Sequence, residues 1–179
     1  MSAGKTRSEE IEKLFVMIFE IHHAMLVTNT PQGSLRSRPM GVHLCRNDDC
    51  LWLFTDRESA KVLEIRNDRE VNISFSSPER MKFVSVTGVA TTTDSRQKID
   101  EVWAPISKVS HPEGKNDPDL ILIRVVPTFA EYWDESNQEF SRLYQSTKAM
   151  LTGEIPERVG EHAELPSLDD SLDIPESGQ

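Results

Sequence analysis

The sequence LWLFTDRESAK, at residues 51–61, combines a short apolar strand with the start of a helix. Its first five residues are rich in the aromatic and large apolar side chains typical of strands. The hydrophobic period then changes, because apolar residues recur at helical spacing over residues 59–67. This stretch therefore predicts a strand that ends directly at a helix start.

Short strands are predicted on both sides of this stretch, with few helices. The predicted strands are 24–30, 35–46, 51–55, 71–75, 83–91 and 120–126, with 130–133 continuing beyond Pro127 as a short edge segment. Helices are predicted over 8–23, where Thr6 and Glu9 match a capping box, and over 95–102. Gly88, inside a predicted strand, indicates a bulge or a close backbone approach. Short strands joined by hairpin turns favour a mainly β fold, an antiparallel, Greek-key-like barrel with short flanking helices.

Length and charge restrict the classes of protein that this chain can be. A chain of 179 residues favours one domain. Its net charge of −10 opposes binding to nucleic acid or to an anionic membrane, which needs clustered basic residues. We find no apolar run long enough to span a bilayer and no secretory pattern in MSAGKTRSEE. With only two cysteines, the sequence predicts a cytoplasmic protein.

The acidity is concentrated at the carboxyl end. Residues 154–179 contain eight acidic residues and one arginine, so residues 1–153 carry only −3 of the net charge. That end contains prolines but no aromatic residue, and it has little apolar surface to offset the entropy cost of ordering. We expect a barrel domain at 1–153, with its core at about 8–134, followed by an acidic tail that is disordered or weakly docked.

Two arginines stand close together in RSRPM, residues 36–40. Arg36 and Arg38 are two positions apart, so they face the same side of a strand. Two like charges on one face indicate a nearby anion. The alternative is an exposed edge strand whose charges prevent aggregation.

A second candidate site lies where the strand of LWLFTDRESAK meets its helix. Thr55 ends the strand, Ser59 starts the helix and Lys61 follows. Hydroxyls, free N–H groups and an ammonium all donate hydrogen bonds to phosphate oxygens. The alternative is an ordinary serine N-cap with a solvated lysine. Only residues 45–50 separate this strand from the one that carries the arginines, so both features can line one site.

Five motifs, in this order and spacing, resemble the general stress protein branch of the pyridoxamine 5′-phosphate oxidase-like split-barrel flavoproteins. They are RSRPM, LWLFTDRESAK, VSVTG (84–88), GKNDPDLILIRV (114–125) and AEYWD (130–134). The resemblance covers about residues 8–134. It implies a split β-barrel homodimer that holds FMN at the subunit interface, with FAD left open as an alternative.

The resemblance also implies roles for individual residues. The residues that it places along the isoalloxazine ring are Arg36, Ser37, Arg38, Pro39 and Met40. It places Trp52, Phe54 and Thr55 beside the ring and the ribityl chain. Ser59 and Lys61 would hold the phosphate. Because the flavin would carry the redox chemistry, no protein nucleophile or general base is required, and the catalytic residues stay unassigned. The spacing of the histidines and cysteines predicts no metal site.

The chain departs from the oxidases at three places. Ala60 stands where the oxidases have an arginine, and Ser110 and His111 stand where relatives more often have aromatic residues. No arginine and histidine after Trp133 match the oxidases' substrate-binding pair. We therefore expect an oxidoreductase with an unidentified substrate and a nicotinamide reductant, rather than a pyridoxamine phosphate oxidase.

Three other functions remain open from the sequence. One is a non-catalytic module that binds or senses flavin. Another is the same fold holding a deazaflavin or haem, and haem would need His43 or His111 as its axial ligand. The third is a purely structural interaction protein without a cofactor.

Overall fold

The described part of the chain forms three α-helices and eight strands. The computed structural model describes residues 6–21, 23–45, 48–104, 107, 111–135 and 161–166. The elements are α1 Arg7–Ile21, β1 His23–Asn29, β2 Leu35–Gly41, β3 His43–Leu44, β4 Leu51–Asp56, α2 Ala60–Asn67, β5 Glu70–Ser77, β6 Lys82–Thr93, α3 Arg96–Val102, β7 Leu120–Asp134 and β8 Glu161–Pro166. The capping box at α1 is confirmed, because the Glu9 carboxylate accepts from the backbone N–H of Thr6 at 2.7 Å.

All eight strands belong to one curled antiparallel sheet. Its order is β2-β1-β5-β6-β7-β4-β3, and β8 pairs with β7 outside this path. The expected mainly β, antiparallel barrel with short helices is therefore confirmed. None of the described helices is both long and apolar enough to cross a membrane.

A bulge at Gly88 bends the central pair of strands, as its sequence position indicates. The register of β6 against β7 shifts between Thr87 and Gly88, and Gly88 lies opposite Pro127. A Cβ atom on Gly88 would lie 2.5 Å from the carbonyl oxygen of Val126. The glycine is therefore required by a close approach of two backbones.

Two strand boundaries differ from the sequence prediction. Residues 35–46 form two strands instead of one, because the chain leaves β1 at Gly41 and begins to pair with β4 at His43. Residues 130–133 are not a separate edge segment: β7 runs unbroken for 15 residues and pairs on both sides there, with β6 and β8. Pro127 is accommodated because it lies at the bulge, where the ladder is already irregular.

Strand β8 lies within the segment expected to be a disordered or weakly docked tail. Its Leu165 is 2% exposed and packs in the barrel core, and Glu161 bonds to Lys13 of α1 at 2.6 Å. Residues Glu161–Pro166 are thus docked on the barrel, because the few apolar residues of this segment pack on the core beside β7. The rest of 154–179 lies outside the described residues, and the domain boundary at 153 stays a prediction.

Two apolar clusters occupy the two faces of the sheet. The larger one fills the barrel and includes Leu26, Ile73 and Tyr132. The smaller one packs α3 against the outer face of β4 and β7 through Phe54, Ile99 and neighbouring residues. The smaller cluster borders the cleft described next.

Candidate functional site

A cleft of about 890 Å³ opens between α1, the β2–β3 segment, the end of β4 and the chain after α3. This volume is within the range of small-molecule sites. Apolar side chains make up much of its wall, among them Phe19, Met40, Phe54 and Val102. At one end the wall becomes polar, with the ammonium of Lys61 beside Thr55.

The polar end is a corner built where β4 meets α2. The Lys61 ammonium donates to Thr55 Oγ1 at 2.9 Å, and the hydroxyls of Thr55 and Ser59 are 2.9 Å apart. Ser59 stands at the N-cap position of α2, but its hydroxyl makes no capping bond to the helix. The ordinary N-cap interpretation therefore does not describe Ser59, whose side chain is directed to the corner instead.

The charge of Lys61 is not neutralised by an ion pair within the described part of the chain. Burial, together with the positive charge of Arg38, lowers its pKa, while Asp56 and Glu64 act in the opposite direction. None of the described carboxylates lies within ion-pair distance of its ammonium, whose hydrogen-bond partner is a hydroxyl. A half-buried cation whose hydrogen-bond partner is a hydroxyl suits an anionic group of a ligand.

The two arginines of β2 do have an anion, and it is a residue for which the sequence predicted no role. Glu64 of α2 is 2% exposed, and its two carboxylate oxygens accept from Arg36 at 2.8 Å and from Arg38 at 2.5 Å. The Thr28 hydroxyl of β1 donates to the same carboxylate at 2.7 Å. The two arginines therefore do lie beside an anion, but this anion is a carboxylate of the protein, and their contact with a ligand stays a prediction.

The ionisation of Glu64 follows from this environment. Burial opposes the charged form, but the hydrogen bond from Thr28 and the charge of Arg38 outweigh it and lower the pKa of Glu64 below its usual value of 4.5. Because the carboxyl has a lower pKa in the folded than in the unfolded chain, its ionised form stabilises the fold above about pH 4.5. That contribution is lost as the pH falls through the lowered pKa.

We therefore expect Glu64→Gln to lower the unfolding free energy at pH 7 by about 3 kcal/mol, since it leaves two guanidinium groups without their carboxylate. Urea unfolding of wild type and variant between pH 7 and pH 3 measures this difference. The difference should shrink as the pH falls from about 4.5 through the lowered pKa of Glu64, where the folded wild-type carboxyl becomes protonated. A difference in unfolding free energy between wild type and variant that is the same at pH 7 and at pH 3 would contradict the assignment of Glu64 as an ionised buried group.

Phe54 is the aromatic centre of the cleft wall. Its ring meets three others edge to face: His43 at 5.1 Å, Trp103 at 5.3 Å and His111 at 5.8 Å between centroids. His43 and His111 line the cleft. Burial lowers the pKa of His111, so its imidazole is neutral at pH 7.

The structure brings some of the ten sequence-predicted residues into the cleft wall and leaves others outside it. Pro39, Met40, Phe54, Thr55 and Lys61 line the cleft, and Ser59 contacts it through Thr55. The remaining four do not line it: Arg36 and Arg38 are bonded to Glu64, Ser37 is exposed, and the Trp52 indole donates to Asp48 at 2.7 Å.

Several cleft residues had no role in the sequence-based site. Phe19 and His23 come from the far end of α1 and from β1, and Val102 comes from α3. Their positions depend on how distant elements pack, so no local pattern indicates them. Glu64 offered one weak signal, since it lies one helical turn after Lys61 in a segment otherwise buried through Val62 and Ile65.

Comparison with known proteins finds similarity over most of the chain. The family model described as pyridoxamine 5′-phosphate oxidase like matches residues 9–157. The protein bli-3 of Neurospora crassa is 25% identical over 138 residues, which are 72% of this chain and 66% of that protein. The chain thus spans slightly less than two thirds of this curated relative.

Solved structures with the same fold include general stress proteins. One described as a general stress protein 26 from Jannaschia is 20% identical, with a TM-score of 0.67, over 89% of this chain and 99% of that one. A general stress FMN/FAD binding protein from Xanthomonas citri is 26% identical, with a TM-score of 0.61, over 71% of this chain and 89% of that one. The order of the five sequence motifs and the fold therefore lead to the same group of proteins.

Proposed function

Because this chain belongs to the pyridoxamine 5′-phosphate oxidase-like family, we propose that its cleft binds FMN. The observation that carries the proposal is the corner at the end of the cleft, where Lys61 has only a hydroxyl partner among the described residues. The similarity to a protein described as FMN/FAD binding supports the same cofactor class.

The residues present fit the chemical parts of FMN. A phosphate monoester needs cationic and hydroxyl donors, and the corner offers Lys61, Thr55 and Ser59. A flat aromatic ring system needs apolar walls, which Pro39, Met40 and Phe54 provide. We assign the phosphate to the corner and the ring to these walls.

The other sequence-predicted residues keep proposed roles that are less direct. Arg36, Ser37 and Arg38 belong to the strand that leads into Pro39 and Met40, and the net positive charge that the two arginines keep beside Glu64 favours electron density on the pyrimidine edge of a reduced flavin. Trp52 supports the cleft through its place beside Phe54 in the outer apolar cluster.

We further propose that the protein is an oxidoreductase, with a nicotinamide as reductant and an acceptor whose identity is open. FMN, when bound, supplies reversible hydride and electron transfer. The chain's own residues bind the phosphate, orient the ring and exclude water from the apolar part of the cleft. His43 and His111 line the same cleft beside Phe54.

Retention of FMN is the test of the binding proposal. Purified protein is incubated with FMN and desalted, its visible spectrum is recorded, and the flavin released by denaturation is identified by chromatography. We expect close to one FMN per chain. A colourless protein that retains no flavin would contradict the proposal, and a Soret band in its spectrum would favour haem.

Anaerobic mixing of the FMN-loaded protein with NADH or NADPH tests the oxidoreductase proposal. Rapid loss of the visible flavin absorbance, restored by an electron acceptor, is the expected result. A flavin that stays oxidised with both nicotinamides would instead favour a module that binds FMN without turning over.

We propose that the protein is a homodimer with the cofactor at the subunit interface. Phe19, on the cleft edge, is 73% exposed, and Val16 one turn earlier on α1 is 49% exposed. An exposed apolar surface of this kind is typical of an interface.

Light scattering coupled to size exclusion is expected to give twice the mass of one chain. Phe19→Asp should shift the protein towards the monomer and weaken FMN retention, because the residue lies at the cleft edge. A monomeric wild-type protein that retains FMN would contradict the shared site.

A further inference from the structure

We infer that Glu64 is a positioning residue that holds Arg36 and Arg38 as internal ion pairs, so that Lys61 is the cation left to bind the phosphate of the ligand. The inference rests on the proposed function, and it adds how the cleft's attraction for anions is set. Glu64 acts through its neighbours, since Arg36 and Arg38 both donate to its carboxylate.

Arg38 is bonded on both terminal nitrogens to groups of the protein. Its side chain is 16% exposed, and one terminal nitrogen donates to Glu64. The other donates to the Thr28 hydroxyl and to the Leu26 carbonyl oxygen of β1. These bonds hold the guanidinium between α2 and β1.

Arg36 is held less firmly, because its side chain is 57% exposed and donates to the other oxygen of Glu64 at 2.8 Å. Among the described contacts, this ion pair is the only one that the Arg36 side chain makes. Without the carboxylate, a partly exposed arginine on the same strand face as Arg38 would be a free cation near the cleft.

The charges of Glu64, Arg38 and Lys61 all act on one another. Glu64 lies one turn after Lys61 on α2, and its negative charge reduces the positive potential that the two arginines create at the corner. Removing that charge while keeping the side-chain shape raises the potential at the corner. The affinity for a phosphate-bearing ligand should rise with it.

FMN and riboflavin are the probes that isolate this effect, since they differ only in the phosphate. In Glu64→Gln we expect the ratio of FMN affinity to riboflavin affinity to rise roughly fivefold, the order of magnitude for removing one unit charge near a partly solvated site. The gain should diminish in high salt. A role confined to stability would change both affinities together and leave the ratio as it is.

Two further variants complete the experiment. Asp68→Asn removes another carboxylate from the end of α2, one that accepts from Asn29 at 2.8 Å, and it should leave the ratio unchanged. The double variant Arg36→Gln with Glu64→Gln removes one charge of each sign, so its ratio should return to the wild-type value. A double variant that binds FMN less well than riboflavin would show that Arg36 itself contacts the phosphate and would overturn the inference.

The outcomes separate this inference from the proposed function. If wild-type protein binds neither flavin, the proposed function fails and the inference fails with it. If wild type prefers FMN but Glu64→Gln, folded by circular dichroism, has the same or a lower ratio, the inference alone is overturned.

If Glu64→Gln does not fold, Arg36→Gln replaces it as the test, because the partly exposed side chain of Arg36 is tolerant of change. We expect its ratio to fall by no more than about fivefold, the effect of one charge without contact; an unchanged ratio, or the loss of roughly tenfold or more that a direct phosphate contact would give, overturns the inference.

Discussion

Replacing Lys61 by alanine is expected to weaken FMN binding by roughly 10- to 150-fold, the range for losing one hydrogen bond to a charged group. The physical reason is the isolation of this ammonium: it is half-buried, bonds to the Thr55 hydroxyl at 2.9 Å and has no carboxylate partner among the described residues. Quenching of flavin fluorescence during titration of FMN with protein gives the two dissociation constants.

Riboflavin and a second lysine supply the controls for this prediction. Riboflavin lacks the phosphate, so its affinity should be almost the same for wild type and Lys61→Ala. Lys115→Ala removes a lysine paired with Asp100 at 2.6 Å and outside the cleft lining, and it should leave FMN binding unchanged. Equal FMN affinity in Lys61→Ala and wild type would show that the phosphate does not bind at this corner.

Gly88→Ala is expected to be the most damaging small substitution in the barrel. The added methyl group would lie 2.5 Å from the Val126 carbonyl oxygen and 2.9 Å from a Val125 methyl, and the first of these neighbours is backbone in a central strand. Relieving the clash requires β6 and β7 to separate where β7 also supports β4. We expect a loss of about 3 kcal/mol of unfolding free energy, which corresponds to about 6–12 °C in Tm.

Gly41→Ala is the matched control, because its Cβ would meet nothing closer than His43 at 3.9 Å. Thermal unfolding followed by circular dichroism should show a change of less than about 2 °C for this variant. A Gly88→Ala protein as stable as Gly41→Ala would mean that the backbones of β6 and β7 do not approach each other closely at this bulge.

The local features of the fold could be predicted from the sequence because short-range patterns determine them. The strand at 51–55 and the helix after it have clear hydrophobic patterns, and they form β4 and α2 with boundaries shifted by one residue. The bulge at Gly88 could be predicted because a glycine inside a strand typically marks a bulge or a close backbone approach. The corner of Thr55, Ser59 and Lys61 forms as a unit because its three residues lie within one strand-to-helix turn.

What could not be predicted depends on contacts between distant residues. Arg36 and Arg38 indicated an anion, but their sequence could not show that Glu64, more than twenty residues later, would supply it. Strand β8 forms because Leu165 reaches the core beside β7, which the acidic composition around it obscured. Trp52 and Phe54 share a strand face, yet the indole donates to Asp48 and only Phe54 lines the cleft.

The crystal structure of the FMN-saturated protein tests the central claim most directly. We predict phosphate oxygens within hydrogen-bond distance of Lys61 Nζ and of the Thr55 or Ser59 hydroxyl, with the ring against Met40 and Phe54. Arg36 and Arg38 should remain bonded to Glu64. A flavin whose phosphate lies on the arginines, or that binds outside this cleft, would contradict the account.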